Sequence, residues 1–213
     1  MRLIDVRSDP EAAIAAAQEV VRAGDCLVLP TDTVYGIGAD ALQPAAVAAL
    51  LAAKRRGRDM PPPVLVSDVA MVRALAAEVP QDATILGEAL WPGALTLILP
   101  SQANLRMDLG DREGTIAVRV PDHDFTRELL RATGPLAVSS ANVNKRPPAA
   151  TVMDAWDQLG AEVALYLDCG PASEPVPSTI VDLTGERPRI LRQGRISREQ
   201  IASLVGLAED TED

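Results

Sequence analysis

Thr31, Asp32 and Thr33 follow the apolar run Leu27-Val28-Leu29-Pro30 and precede Val34-Tyr35-Gly36-Ile37-Gly38. In an extended chain the two threonines face one side and Asp32 the other, so a ligand could meet both hydroxyls at once. Further polar residues stand where apolar runs end, at Ser140-Ala141-Asn142 and at Ser178. Cations cluster at Lys54-Arg55-Arg56-Gly57-Arg58, at Lys145-Arg146 and from Arg187 to Arg198. Thr115-Ile116-Ala117-Val118-Arg119 alternates like a strand and carries Thr115 and Arg119 on one face, where a buried guanidinium is costly unless it meets an anion.

Other chemistries lack their residues. His123 is the only histidine, no G-x-S-x-G nucleophile elbow is present, and Gly36-Ile37-Gly38 lacks the third glycine of a dinucleotide fingerprint. No G-x-x-x-x-G-K-[ST] loop occurs either, so any phosphate must be held by side chains. The remaining set comprises Thr31, Thr33, Lys54, Arg56, Arg58, Thr115, Arg119, Ser140, Asn142, Ser178 and Arg192. Without an activated nucleophile, these hydroxyls and cations suit a reaction between two bound substrates, in which positioning and charge neutralisation supply the catalysis.

The net charge of −10 over 213 residues argues against a broad nucleic-acid-binding face and favours a small anion in a local basic pocket. Cys26 and Cys169 have no metal-like spacing and read as free thiols in a reducing compartment. The N-terminus becomes charged within a few residues, and no apolar run approaches the roughly 20 residues of a membrane span, so the expected location is the cytoplasm. Without a linker or internal repeat, the chain reads as one domain over 1–207 with an acidic tail at 208–213.

The elements that must position these residues alternate. Helices are expected over 9–24, 44–54, 67–78, 82–90, 124–132, 154–159 and 197–205, from N-cap residues, first-turn prolines and helical spacing. Short strands are expected at 26–29, 64–66, 95–99, 115–120, 136–142, 163–167, 178–183 and 189–192, while the paired glycines Gly36 and Gly38 read as a turn into the next element. The expectation is a mixed sheet covered by helices, with a pocket at strand ends.

In order, Pro30-Thr31-Asp32-Thr33-Val34-Tyr35-Gly36, the basic segment with Pro63-Val64-Leu65-Val66, Trp91-Pro92-Gly93, Thr115 to Arg119, Ser140-Ala141-Asn142, Ser178-Thr179-Ile180 and Leu191-Arg192-Gln193-Gly194 resemble the threonylcarbamoyl-adenylate synthase family, the YrdC-like proteins. The match runs from about Leu27 to Ile196 and is closest to the short form without the extra C-terminal domain. The resemblance implies an α+β (α/β-type) single domain, a twisted mixed sheet flanked by helices with a large basic cavity. It also implies a nucleotidyltransferase that joins L-threonine, bicarbonate and ATP into threonylcarbamoyl-AMP and pyrophosphate, with Mg2+ accompanying the ATP. In the family the product passes to separate tRNA-modifying transferases, so direct tRNA binding is expected to be weak or absent. The competing reading is a non-catalytic nucleotide- or RNA-binding module on the same fold. A carbamoyl-phosphate-using relative is a third, opposed by the lack of accessory domains.

By motif, Thr31, Thr33, Arg119, Ser140 and Ser178 would line the threonine region. The basic segment, Thr115, Asn142 and Arg192 would hold the nucleotide. The family pattern K-x-R falls either on Lys54 and Arg56 or, counting back from Pro63, on Arg56 and Arg58. After Asn142, this chain has Asn144-Lys145 where the family tends to Ser-Gly. Asp32 is expected to be a structural hydrogen-bonding residue outside the chemistry.

Overall fold

A computed structural model describes residues 1–111, 114–172 and 175–208. The expected acidic tail therefore lies, from 209 onward, outside the described residues. Ten strands form one mixed sheet, in the spatial order β1-β8-β2-β3-β7-β4-β6-β5-β9-β10. They are β1 (Leu3–Asp5), β2 (Leu27–Leu29), β3 (Gly36–Asp40), β4 (Val64–Leu65), β5 (Leu95–Pro100), β6 (Thr115–Arg119), β7 (Leu136–Ser140), β8 (Leu165–Asp168), β9 (Thr179–Asp182) and β10 (Arg189–Arg192). The helices are α1 (Pro10–Ala23), α2 (Pro44–Ala53), α3 (Val69–Leu75), α4 (Gln81–Leu90), α5 (Asp124–Thr133), α6 (Val152–Leu159) and α7 (Arg198–Ala202). No helix among the described residues is long and apolar enough to cross a membrane.

Local chemistry explains most boundaries. Asp9 caps α1 by accepting from Ala12 N, Pro10 supplies the first turn, and Gly24 closes the helix in the left-handed region. His123 serves the fold as the N-cap of α5, where its ring accepts from Thr126 N. The helix expected over 67–78 is shorter, since Asp68 caps it at Met71 N and Ala76 leaves it in an extended conformation to bridge Ser101. The strands β1 and β3 were not expected. Gly36 and Gly38, read as a turn, lie within β3, which pairs antiparallel with β2 and β7. A Cβ at Gly36 would stand 2.6 Å from Val138 Cγ1, so glycine serves close strand packing at this position.

The two faces of the sheet are covered unequally. On one face, Val28, Ile37, Leu97, Val118 and Val181 pack with residues of α2, α3, α4 and α6. On the other, Leu27, Leu29, Leu136, Val138 and Leu165 pack under Ala13, Ala17 and Val20 of α1 and Leu129 of α5. Beyond β7 this second face continues over β4, β6, β5 and β9 as the floor of a cavity lined by Leu65, Ala117, Arg119, Thr96, Ile98 and Ile180.

Candidate functional site

The cavity has a volume of about 1050 Å³. Its floor follows from strand alternation: Thr115, Ala117 and Arg119 face it from β6, while the intervening Ile116 and Val118 join the core on the far side. The irregular segment at 101–111 covers it, contributing Leu105, Met107 and Leu109 to the lining. Arg58 ties that cover down, through ion pairs to Asp108 (2.6 Å) and Asp111 (3.0 Å) and a bond from Asp111 N to its own carbonyl (2.9 Å). Gly110 permits the approach: its φ is +141°, and a Cβ there would collide with Arg58 O.

Arg119 anchors one end of the cavity. Its side chain is only 7% exposed, and that of Asp32 11%. Nε donates to Gly93 O (2.9 Å), one terminal nitrogen to Thr33 Oγ1 (3.0 Å) and the other to Asp32 Oδ1 (2.7 Å). Burial lowers the Arg119 pKa, and the Asp32 charge opposes the shift.

The hydroxyls beside it differ in what they have left to offer. Thr31 Oγ1 lies 2.7 Å from Val34 O, which requires its single proton, and it accepts from Thr33 N (3.1 Å). The 3.0 Å contact between the two threonine hydroxyls is therefore donated by Thr33. Thr33 Oγ1, accepting from Arg119 as well, has an acceptor position left for a ligand donor such as an amine or hydroxyl. The expectation of two hydroxyls meeting a ligand together is corrected. Thr31 lines the cavity, but its oxygen is occupied in the turn, because 30–35 is a bent segment and not an extended strand.

Another part of the wall is cationic. Arg56 donates to Met60 O (2.7 Å) and Ser139 Oγ (3.0 Å), and Arg192 donates to Ser178 O (2.7 Å) and Ser178 Oγ (3.2 Å). Ser178 Oγ also meets Thr96 Oγ1 at 2.8 Å. Burial lowers the pKa of Arg56, and that of Arg192 falls through burial and the charges of Arg119 and Arg56. Such mutually repelling cations are relieved by a bound anion.

Lys54 is 2% exposed and lies behind this wall. Its ammonium donates to Ser140 O and, at 2.7 Å, to Asn142 O, joining the end of α2 to the end of β7. Burial, with a smaller contribution from Arg56, pushes its pKa down to about 7. Asn142 Nδ2 donates to Val143 O and Arg146 O, which leaves Oδ1 as a buried acceptor without a protein partner among the described residues.

Of the residues singled out in the sequence, Thr31, Thr33, Arg56, Arg58, Thr115, Arg119, Ser140, Ser178 and Arg192 line this one cavity, while Lys54 and Asn142 do not. Lys54 and Asn142, expected to hold the nucleotide, stand outside the cavity lining: the lysine's donors are directed at main-chain carbonyls and Asn142 Nδ2 at Val143 O and Arg146 O. In the K-x-R question, Arg56 and Arg58 are the pair whose side chains both line the cavity. Sequence reasoning missed Asp32 as the partner of Arg119, Ser139 beneath Arg56, Thr96 beside Ser178 and the carbonyl of Gly93. The motifs Pro30 to Gly36, with Asp32 as a structural hydrogen-bonding residue, and Trp91-Pro92-Gly93 signal two of these; Ser139 and Thr96 have no such signal.

The family model Sua5_yciO_yrdC, described as telomere recombination, matches residues 19–194. The chain belongs to this family. A relative in Mycobacterium tuberculosis, named "Putative threonylcarbamoyl-AMP synthase", is 50% identical over 203 residues, covering 94% of each chain. The Bacillus subtilis threonylcarbamoyl-AMP synthase is 36% identical, over 93% of this chain and 58% of its own length. Among solved structures, Pyrococcus abyssi Sua5 complexed with L-threonine superposes with a TM-score of 0.88 at 32% identity, covering 92% of this chain and 58% of that one. Membership of the Sua5/YciO/YrdC family agrees with the single sheet and its open cavity.

Proposed function

We propose that the chain is a threonylcarbamoyl-AMP synthase, forming threonylcarbamoyl-AMP and pyrophosphate from L-threonine, bicarbonate and ATP for threonylcarbamoyladenosine modification of tRNA. The observation that carries this reading is the Arg119 guanidinium set beside the Thr33 acceptor in the same cavity as Arg56, Arg58 and Arg192. Arg119 suits the carboxylate of an amino acid, and Thr33 suits its amine or hydroxyl. Arg56, Arg58 and Arg192 suit the phosphates, with Thr115 on the nucleotide side and Ser140 and Ser178 on the threonine side of the same lining.

The threonine amine and bicarbonate condense to a carbamate, with loss of one water. A carbamate oxygen then attacks the α-phosphorus, and the bond to the β,γ-diphosphate breaks to release pyrophosphate. Two unit charges 4 Å apart repel by about 4 kcal/mol at an effective dielectric near 20, so bringing carbamate and triphosphate together requires the cations of this wall. Confinement in one cavity supplies the orientation.

Magnesium is proposed as the companion of ATP. Among the described residues no three His, Cys, Asp or Glu side chains gather into a cage, so the donor set fits an ion carried by phosphates and water. The product's consumers are proposed to be separate transferases, consistent with the net charge of −10, and the compartment the cytoplasm.

The test measures pyrophosphate release from ATP, magnesium and bicarbonate with and without L-threonine. Release only when threonine is present supports the reading; threonine-independent release, or none, overturns it. Filter binding of tRNA at two salt concentrations should show weak retention only, whereas tight, salt-sensitive binding would favour an RNA-binding module.

A further inference from the structure

Among the described residues Asp32 is the one carboxylate bonded to the buried Arg119, and it does not line the cavity. A guanidinium has five N–H groups. Gly93 O, Thr33 Oγ1 and Asp32 Oδ1 take one from each nitrogen, which leaves one N–H on each terminal nitrogen, the number a bidentate carboxylate accepts. Gly93 O and Thr33 Oγ1 are neutral, so Asp32 alone supplies a countercharge among these partners. Asp32 is itself held: its carbonyl accepts from Arg195 (2.9 Å), and Pro30 O, two residues earlier, accepts from Thr126 Oγ1 (2.7 Å).

We propose that Asp32 is a positioning residue for the amino-acid subsite: it supplies the countercharge to the buried Arg119 and fixes which two N–H groups face the cavity. It touches no substrate and acts through Arg119. This inference rests on the proposed threonine site, and it brings into the chemistry a residue that the sequence reading placed outside it. An extended chain would turn Asp32 away from the threonines, but the bend at 31–34 brings Asp32 and Thr33 to the same guanidinium, with Thr31 bonded to Thr33.

The test uses Asp32→Asn, which preserves shape and the Oδ1 acceptor, with Asp32→Ala, Arg119→Ala and the double variant Asp32→Ala/Arg119→Ala. Threonine and ATP binding are measured by calorimetry, and the Nε–H resonance of Arg119 is followed in 15N spectra without substrate. In Asp32→Ala, threonine binding should weaken roughly tenfold or more, the loss expected from disturbing one charge-assisted bond, while ATP binding changes by less than about twofold. Asp32→Asn should fall between wild type and Asp32→Ala, and the double variant should bind threonine no worse than Arg119→Ala alone. The Arg119 Nε–H signal should broaden or vanish in Asp32→Ala.

Unchanged threonine binding, equal loss of threonine and ATP, or additive loss in the double variant would overturn the proposal. Should Asp32→Ala not fold, Asp32→Asn decides by the same split between threonine and ATP. If the wild-type protein binds no threonine, the proposed function fails and the resonance decides for Asp32: an unchanged signal in both Asp32 variants overturns positioning.

Discussion

One face of the sheet is built in two ways. Over β2, β7 and β8 it carries leucine and valine beneath α1 and α5, whereas over β6, β5 and the start of β9 it carries Thr115, Arg119, Thr96 and Ser178 beneath an irregular cover. Strand geometry is common to both halves, so the side chains at alternating positions determine which becomes core and which becomes site. Strand β7 passes between them, with Val138 packed under helices and Ser140 in the cavity lining. The covered half gains stability from apolar burial; the open half holds cations whose pKa values are lowered chiefly by burial.

Arg119→Ala should break the comparison most severely, because Arg119 belongs to both accounts. Removing it leaves Asp32 buried without its partner, at a cost of about 3–5 kcal/mol, and also removes the anchor of the open half. Calorimetry should show threonine binding lost far more than ATP binding, and thermal melts should show a lower midpoint. Equal loss of the two ligands would remove Arg119 from the amino-acid subsite.

Leu129→Ala tests the other half in isolation. Leu129, on α5, is fully buried, so about 2–5 kcal/mol of stability should disappear, while threonine-dependent pyrophosphate release per folded molecule remains as in wild type. A change in that activity at a temperature where the variant is folded would show that the two halves are coupled.

Lys54→Met addresses the boundary behind the basic wall. It removes the donors to Ser140 O and Asn142 O and should cost about 1–3 kcal/mol, chiefly through the Asn142 carbonyl, since Ser140 O still accepts from Asn142 N. The pH dependence has a definite sign. With the folded pKa at about 7 and the ordinary value at 10.5, the unfolded chain holds a proton between these limits that the folded chain has released. Stability contributed by this group therefore rises as pH increases from about 7 toward 10.5, and Lys54→Met should flatten that slope in chemical unfolding curves.

Much of this division was legible in the sequence. The alternation of Thr115 to Arg119 announced a polar strand face, and capping residues and prolines located α1, α2 and α5 closely. Strand β3 escaped notice because glycine is usually a breaker, whereas Gly36 and Gly38 serve the close packing of Leu29 and Val138, a tertiary demand that no local pattern expresses. The partner of Arg119 escaped for a related reason. Strict alternation sends Asp32 away from Thr33, and only the bend at 31–34 reunites them. Lys54 reads as a candidate nucleotide cation within the basic cluster until the fold places the end of β7 beside it.

Arg58→Ala is expected to have the smallest effect, and a specific one. Its side chain is about half exposed, and surface ion pairs to Asp108 and Asp111 contribute little to folding, so the melting midpoint should be close to wild type. The same pairs attach the 101–111 cover to the basic segment, and Arg58 itself faces the cavity. Its loss should raise the KM for ATP several-fold, through the missing cation and the released cover, with a smaller change for threonine at the Arg119 end. Arg58→Lys separates the two contributions, since a lysine restores the charge but not the fork that reaches both carboxylates. Recovery of the ATP KM in Arg58→Lys would assign the effect to charge in the open half; no recovery would assign it to the cover.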